Sequence, residues 1–225
     1  MPWHERLAIS RNYYRKLLET PKEAAQAFTT DFNLLRDRLS TFRGRVLDVG
    51  GGNGLARAYL PVDAEYVCLE PERFWLDSAW MVLQAQFPCL AQSLRFVSGV
   101  GEAAPFPDAT FDAVLAIFSL NHCRHPAQVV AEMARVLRHG GRALMILEDA
   151  EPPWRDVLSG AYGDWRGWNK IRVGFEKMNT RRGWPLEADH VRITEDDLQR
   201  WCVHLLDRTD RRWLGAYLAV ELRRV

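Results

Sequence analysis

Cysteine is scarce in this chain: four in 225 residues, at Cys68, Cys89, Cys123 and Cys202, with no Cys-x-x-Cys pair. That spacing excludes a disulfide framework and a cysteine-rich zinc site, and implies reduced thiols in a cytoplasmic setting. Net charge is nearly absent as well. Thirty Lys and Arg against 29 Asp and Glu leave +1, so the basic excess of a dedicated nucleic-acid binder is missing. Long apolar runs are lacking too, since the stretch from Phe111 to Leu120 is broken by Asp112 and Ser119 and a bilayer span needs roughly 20 residues. There is no charged-then-apolar leader pattern, no internal repeat and no low-complexity tract. The expectation is a single domain over residues 1–225, with no membrane and no nucleic acid among its partners; nothing here speaks to oligomeric state.

Strand and helix signals alternate. Thr20-Pro21-Lys22-Glu23 reads as a helix start, with Phe28, Phe32, Leu35 and Leu39 at helical spacing behind it. Tyr13, Tyr14, Leu17 and Leu18 suggest an earlier helix, a candidate flap or an ordinary packing helix, so that residues 1–42 are read as N-terminal helices. Arg45 to Val49 is a first strand, with a helix expected over Leu55 to Leu60. Glu65 to Glu70 is a second strand, stopped by Pro71, and Phe74 to Gln86 a helix. Leu94 to Ser98 and Phe111 to Phe118 are the third and fourth strands. Val129, Val130, Met133, Val136 and Leu137 form one apolar helical stripe, stopped by His139-Gly140-Gly141 before a fifth strand, Arg142 to Leu147. Residues 149–191 break the pattern with Pro, Gly, Trp and Arg and are read as an insertion over the strand ends. Thr194-Glu195-Asp196-Asp197 opens a short helix. Val203 to Asp207 and Trp213 to Leu222 form an antiparallel hairpin around the polar run 208–212. The fold class implied is α/β: a Rossmann-like, seven-stranded, mostly parallel sheet with helices on both faces and a C-terminal antiparallel hairpin. Ligands in such sheets sit beyond the carboxyl ends of the strands.

Val46-Leu47-Asp48-Val49-Gly50-Gly51-Gly52-Asn53-Gly54 is a strand running into a glycine turn. A dinucleotide-binding turn wants a small residue five positions after its first glycine, where this chain has Leu55. The pattern is DxGxGxG, which resembles motif I of the class I S-adenosylmethionine-dependent methyltransferases. The resemblance extends over Arg43 to Leu147. Glu70 looks like the acid that accepts hydrogen bonds from both ribose hydroxyls in that family. Residues 101–112, Gly-Glu-Ala-Ala-Pro-Phe-Pro-Asp-Ala-Thr-Phe-Asp, are similar to its "GDAexLPFpdxsFD" stretch, and Leu137 to Gly141 to its "LkPGG" turn. What the resemblance implies is S-adenosylmethionine as cofactor, held by Asp48, Gly50, Gly51, Gly52, Gly54, Glu70, Pro71, Val100, Gly101, Glu102, Phe118 and Ser119. One departure is visible. The acid that usually meets the adenine amine falls at Val100, which leaves adenine recognition to backbone groups or to Glu102, itself also readable as a solvated turn residue.

On the acceptor side, His122 is the candidate general base, because imidazole titrates near neutrality; hydrogen bonding to a loop backbone is its other reading. His122, Cys123 and His125 in one turn, without partners elsewhere, are a poor ligand set, and no metal is expected. Tyr13, Tyr14, Glu148 and Trp154 are candidate acceptor contacts, with Asp149, Trp165 and Trp168 nearby. Seven basic residues against three acids between Arg155 and Arg182 permit an anionic acceptor, although a solvated basic face produces the same count. The activity expected is methyl transfer to oxygen, nitrogen or carbon of a small molecule, resembling the type 11 group. A non-catalytic S-adenosylmethionine-binding regulatory or partner protein is the alternative.

Overall fold

The computed structural model describes residues 2–76, 94–162 and 187–225, together with Phe175. Seven strands form one sheet: β1 (Arg45–Val49), β2 (Glu65–Glu70), β3 (Arg95–Ser98), β4 (Phe111–Ile117), β5 (Leu137–Leu147), β6 (Leu206–Leu214) and β7 (Tyr217–Arg224). Their order is β3-β2-β1-β4-β5-β7-β6. The first five pair in parallel and β7 runs antiparallel to both β5 and β6, as the alternating pattern implied. The order reverses between β1 and β4, which opens a crevice at their carboxyl ends.

Alternation along the strands sends side chains to two cores. Leu47, Val49, Val67, Leu69, Val114 and Ala116 pack on one face, and Val46, Tyr66, Cys68, Ala113, Leu115 and Ile117 on the other. The first face is covered by α4 (Pro126–Val136), whose Val129, Val130, Met133 and Val136 are buried, and by Leu198 and Cys202 of α6 (Glu195–Cys202). Thr194 caps α6 with a reciprocal capping box through Asp197, the arrangement read from Thr194 to Asp197. The other face is covered by Leu35, by Leu39 of α3 (Arg36–Leu39) and by the 3-10 turn Leu55–Tyr59, which stands where an α-helix was expected. α1 (Trp3–Leu18) and α2 (Pro21–Asn33) lie ahead of the sheet in the chain, and α5 (Trp154–Ser159) falls within the 149–191 segment.

Three boundaries differ from the sequence expectation. Arg138 to Gly141 bulge out within β5, because Phe111 pairs with Leu137 while Ala113 pairs with Arg142. The polar run 208–212 is not a turn but the middle of β6, with the turn at Gly215, whose φ is +61°. The physical reason is that β6 is the sheet edge, where charged side chains face solvent and discourage further strand pairing. The helix read over Phe74 to Gln86 begins as a 3-10 turn at Arg73–Leu76, and its remainder lies outside the described residues, as do Cys89, Trp165 and Trp168.

Candidate active site

The glycine turn after β1 is built from positive backbone angles that side chains resist: φ is +66° at Gly50, +53° at Gly52 and +75° at Gly54. A Cβ at Gly50 would stand 2.6 Å from Ser119 Cβ, and one at Gly51 would stand 2.7 Å from Asp48 Oδ2. The turn is tied down from β2. Gly50 N–H donates to the Leu69 carbonyl at 2.8 Å. Gly52 N–H donates to Glu70 Oε2 at 3.0 Å, and Glu72 N–H to Glu70 Oε1 at 2.9 Å. Burial pushes Glu70 up to about 7. Asp48 lies behind the turn, fully enclosed, accepting from the Tyr66 hydroxyl at 2.6 Å, and burial raises it to about 7 as well.

A cleft opens in front of this turn and has two lobes. The first is lined by Gly50, Gly52, Glu70, Pro71, Val100, Gly101, Glu102, Phe118 and Ser119, and is roofed by Trp3, Leu7 and Arg11 of α1 and by Trp75. It encloses about 720 Å³ including its open mouth, within the range of small-ligand sites. Nine of the twelve residues that the resemblance assigned to the cofactor line it. Asp48, Gly51 and Gly54 do not: Asp48 sits behind the turn, Gly51 faces the second lobe, and a Cβ at Gly54 would meet Leu94 at 3.2 Å instead of the cleft. Glu102 has a bond pattern of its own, since its Oε1 accepts from the N–H groups of Arg124 and His125 at 2.8 and 2.9 Å. A carboxylate there complements the N-terminus of α4. Ser119 Oγ donates to the Val49 carbonyl at 2.6 Å, joining the ends of β1 and β4.

The second lobe is lined by Tyr13, Tyr14, Asp31, Phe32, Asn53, Phe118, His122, Glu148, Glu187, Asp189 and His190, among others. Tyr14, Gly50, Gly52, Trp75, Phe118 and His122 border both lobes. Phe118 holds this seam at φ +55°, in the left-handed region that a bulky residue rarely enters, with its ring 4.7 Å from that of Tyr217. Tyr14 is half-buried against Trp75, ring centroids 4.8 Å apart, and desolvation of its hydroxyl followed by the charge of Glu148 pushes that hydroxyl up. Trp154, an expected acceptor contact, lines neither lobe: it starts α5 and is largely exposed.

His122 is positioned by its own turn and by the chain 67 residues later. Its N–H donates to the Ser119 carbonyl at 3.0 Å. Asn121 exchanges two hydrogen bonds with Val191, at 2.7 and 3.1 Å, and this pins Asp189 and His190 beside the turn. Asp189 Oδ2 lies 3.2 Å from His122 Nδ1, and the two imidazole rings are edge to face at 4.4 Å. Burial raises Asp189, but the contacts with His122 and His190 outweigh it and hold the acid below its usual range. Glu148, at the end of β5, is pushed up to about 8 by burial and then by Glu187 and its other acidic neighbours.

Asp189, His190, Asp31 and Trp75 were missed in the sequence, whereas the helix read around Tyr13 and Tyr14 as a candidate flap or packing helix is the one that roofs the first lobe. The signal available was Asp189-His190, the only histidine in the 149–191 segment. At the roof, Arg11 donates twice to Glu72, both at 2.8 Å, joining α1 to the chain just past β2.

A family model described as a methyltransferase domain matches residues 47–145, the stretch from β1 to β5. The chain is 32% identical over 159 residues to the uncharacterized methyltransferase YcgJ of Bacillus subtilis, which covers 70% of this chain and 60% of that protein. It is 31% identical over 152 residues to a phosphatidylethanolamine N-methyltransferase of Cereibacter sphaeroides, covering 62% of this chain and 67% of that one. Among solved structures, the Burkholderia thailandensis 1,6-didemethyltoxoflavin-N1-methyltransferase, with bound 1,6-didemethyltoxoflavin and S-adenosylhomocysteine, superposes with a TM-score of 0.62. It is 17% identical over 100% of this chain and 91% of its own, a likeness of fold. By its glycine turn, sheet order and relatives, the chain belongs to the class I S-adenosylmethionine-dependent methyltransferase family.

Proposed function

We propose that the protein transfers a methyl group from S-adenosylmethionine to a small-molecule acceptor, with the donor in the first lobe and the acceptor in the second. The observation that carries this reading is the seam: Gly50, Gly52, Phe118 and His122 border both lobes, so donor and acceptor would meet across them. The first lobe fits the cofactor on its own chemistry. Its wall includes the glycine backbone of the turn, where a Cβ at Gly52 would stand 3.4 Å from Trp75 on the other side of the lobe, and Glu70 stands at the end of β2 with two acceptor oxygens. When bound, S-adenosylmethionine supplies a methyl group on a sulfonium, a good leaving group for in-line displacement. The chain's part is orientation and exclusion of water by the α1 roof. For a hydroxyl or amine acceptor, His122 stands at the seam to take the proton, and Asp189 positions its ring.

The lining of the second lobe bears on the acceptor class. It carries Asp31, Glu148, Glu187 and Asp189, and no Lys or Arg among the described residues. A neutral or cationic acceptor suits that lining better than the anionic one permitted by the basic residues after Arg155, most of which lie outside the described residues. No helix among the described residues is long and apolar enough to cross a membrane. Cys68, Cys123 and Cys202 are free thiols, which supports a cytoplasmic setting. A methyl-transfer screen with labelled cofactor across neutral, amine-bearing and carboxylated metabolites tests the reading. Labelled product is expected with neutral or cationic acceptors; cofactor binding with no product from any class would favour the non-catalytic alternative.

A further inference from the structure

We propose that the second lobe binds a divalent transition-metal ion through His122, Glu148 and His190. The ligand-capable atoms of these three residues lie within 4.8 Å of one another, and all three residues line the acceptor lobe. His190 is buried, and its orientation is set from behind: Nδ1 stands 2.8 Å from Asp149 Oδ2, the same oxygen that accepts from Glu187 N–H at 3.0 Å. A carboxylate behind an imidazole is the usual outer support of a metal-binding histidine. Asp149 reaches this position from a left-handed backbone, φ +50°, a conformation that costs about 1 kcal/mol or more.

With Nδ1 so engaged, Nε2 of His190 faces Glu148 Oε2 at 3.6 Å. That separation is too long for a hydrogen bond, and near the roughly 3.0 to 3.4 Å between neighbouring donors around an ion with bonds of about 2.1 Å. His122 Nδ1 is buried without a hydrogen bond of good geometry, although Asp189 is 3.2 Å away. The acids of the lobe face no Lys or Arg among the described residues that line it. Two imidazoles and one carboxylate with open positions suit zinc, manganese or iron in the divalent state more than magnesium. The open positions would face the lobe, where an acceptor oxygen could coordinate and lose its proton to water more readily. His122 would then be a ligand instead of the proton acceptor. That use rests on the transferase reading, whereas the existence of the site does not.

Calorimetric titration of the chelator-treated full chain with Zn²⁺ and, separately, Mn²⁺ tests the proposal. One ion per chain is expected, with affinity falling at least about 10-fold in His190→Ala and in the isosteric Glu148→Gln, while S-adenosylmethionine affinity in Glu148→Gln stays within about twofold. Absence of a one-to-one site for either metal, or wild-type affinity in both variants, overturns it. Heat from a simple diamine with none from either metal overturns it too, and assigns the charge to a cationic acceptor. Failure of cofactor binding in the wild type would strike the transferase reading and leave a measured metal site standing.

Discussion

The Glu70 carboxylate accepts a hydrogen bond from Gly52 N–H at 3.0 Å, so the acid that ends β2 and the glycine turn that follows β1 are joined across the mouth of the crevice. One side chain thereby orders the turn and lines the first lobe. Its neighbour Glu72 carries the bond to Arg11, so the roof helix hangs from the same corner.

Gly50→Ala tests the turn. The backbone is at φ +66° and the new Cβ would stand 2.6 Å from Ser119 Cβ, so the chain must move or the Ser119 to Val49 hydrogen bond must break. The variant should lose about 1 to 3 kcal/mol of stability and bind S-adenosylmethionine at least about 10-fold more weakly. Chemical denaturation and calorimetry on the same sample check both numbers.

His122→Ala should lower turnover by about 100-fold or more, whether the ring takes a proton or holds an ion. The cofactor dissociation constant should stay within about twofold, because the His122 N–H to Ser119 bond belongs to the backbone and survives. Single-turnover kinetics beside equilibrium binding separate the two effects. Unaltered turnover would return His122 to a structural role.

Arg11→Ala releases the roof. The pair is partly exposed and should contribute only about 0.5 to 1 kcal/mol to stability, yet it holds α1 over the first lobe. Cofactor dissociation measured by stopped flow should quicken about 3- to 10-fold with the melting temperature little changed. Protease cleavage within α1 should also quicken.

The acids behind the site set a pH dependence. Asp48 and Glu70 sit at about 7 in the folded chain, each above its ordinary value because of burial. With respect to these two acids the folded state therefore holds more protons than the unfolded state between about pH 4 and pH 7, and their contribution to stability must fall as pH rises through that window and level off above it. Asp48→Asn, which keeps an oxygen for the Tyr66 hydroxyl, should flatten part of that slope. Urea denaturation at a series of pH values measures it.

Much of the fold was legible because its signals are local. Apolar runs bounded by Pro and Gly mark β1, β2 and β4, and the capping box at Thr194 marks α6. The β6 to β7 turn was misplaced because charged residues read as loop, whereas an edge strand accommodates them. The lining of the first lobe was legible for the same local reason, since strand, glycine turn and strand-end acid stand in one stretch of chain. Glu102 was placed in the lobe, but its bonds to Arg124 and His125 were not foreseen, because they depend on how α4 docks. The second lobe is assembled from Tyr14, Asp31, His122, Glu148 and His190, separated by up to 176 residues. What joins them is the Asn121 to Val191 pairing and the fall of α1 and α2 over the sheet end, and no spacing in the chain encodes that.

The central claim is that the lobe beside the glycine turn holds S-adenosylmethionine, with Glu70 as a principal contact. Calorimetric titration of the cofactor into the wild-type chain and into Glu70→Ala tests it most directly. The expected result is one site per chain in the wild type and an affinity at least about 10-fold weaker in the variant, with both proteins folded by circular dichroism. Equal affinity in the two, or no binding to the wild type, would contradict the account.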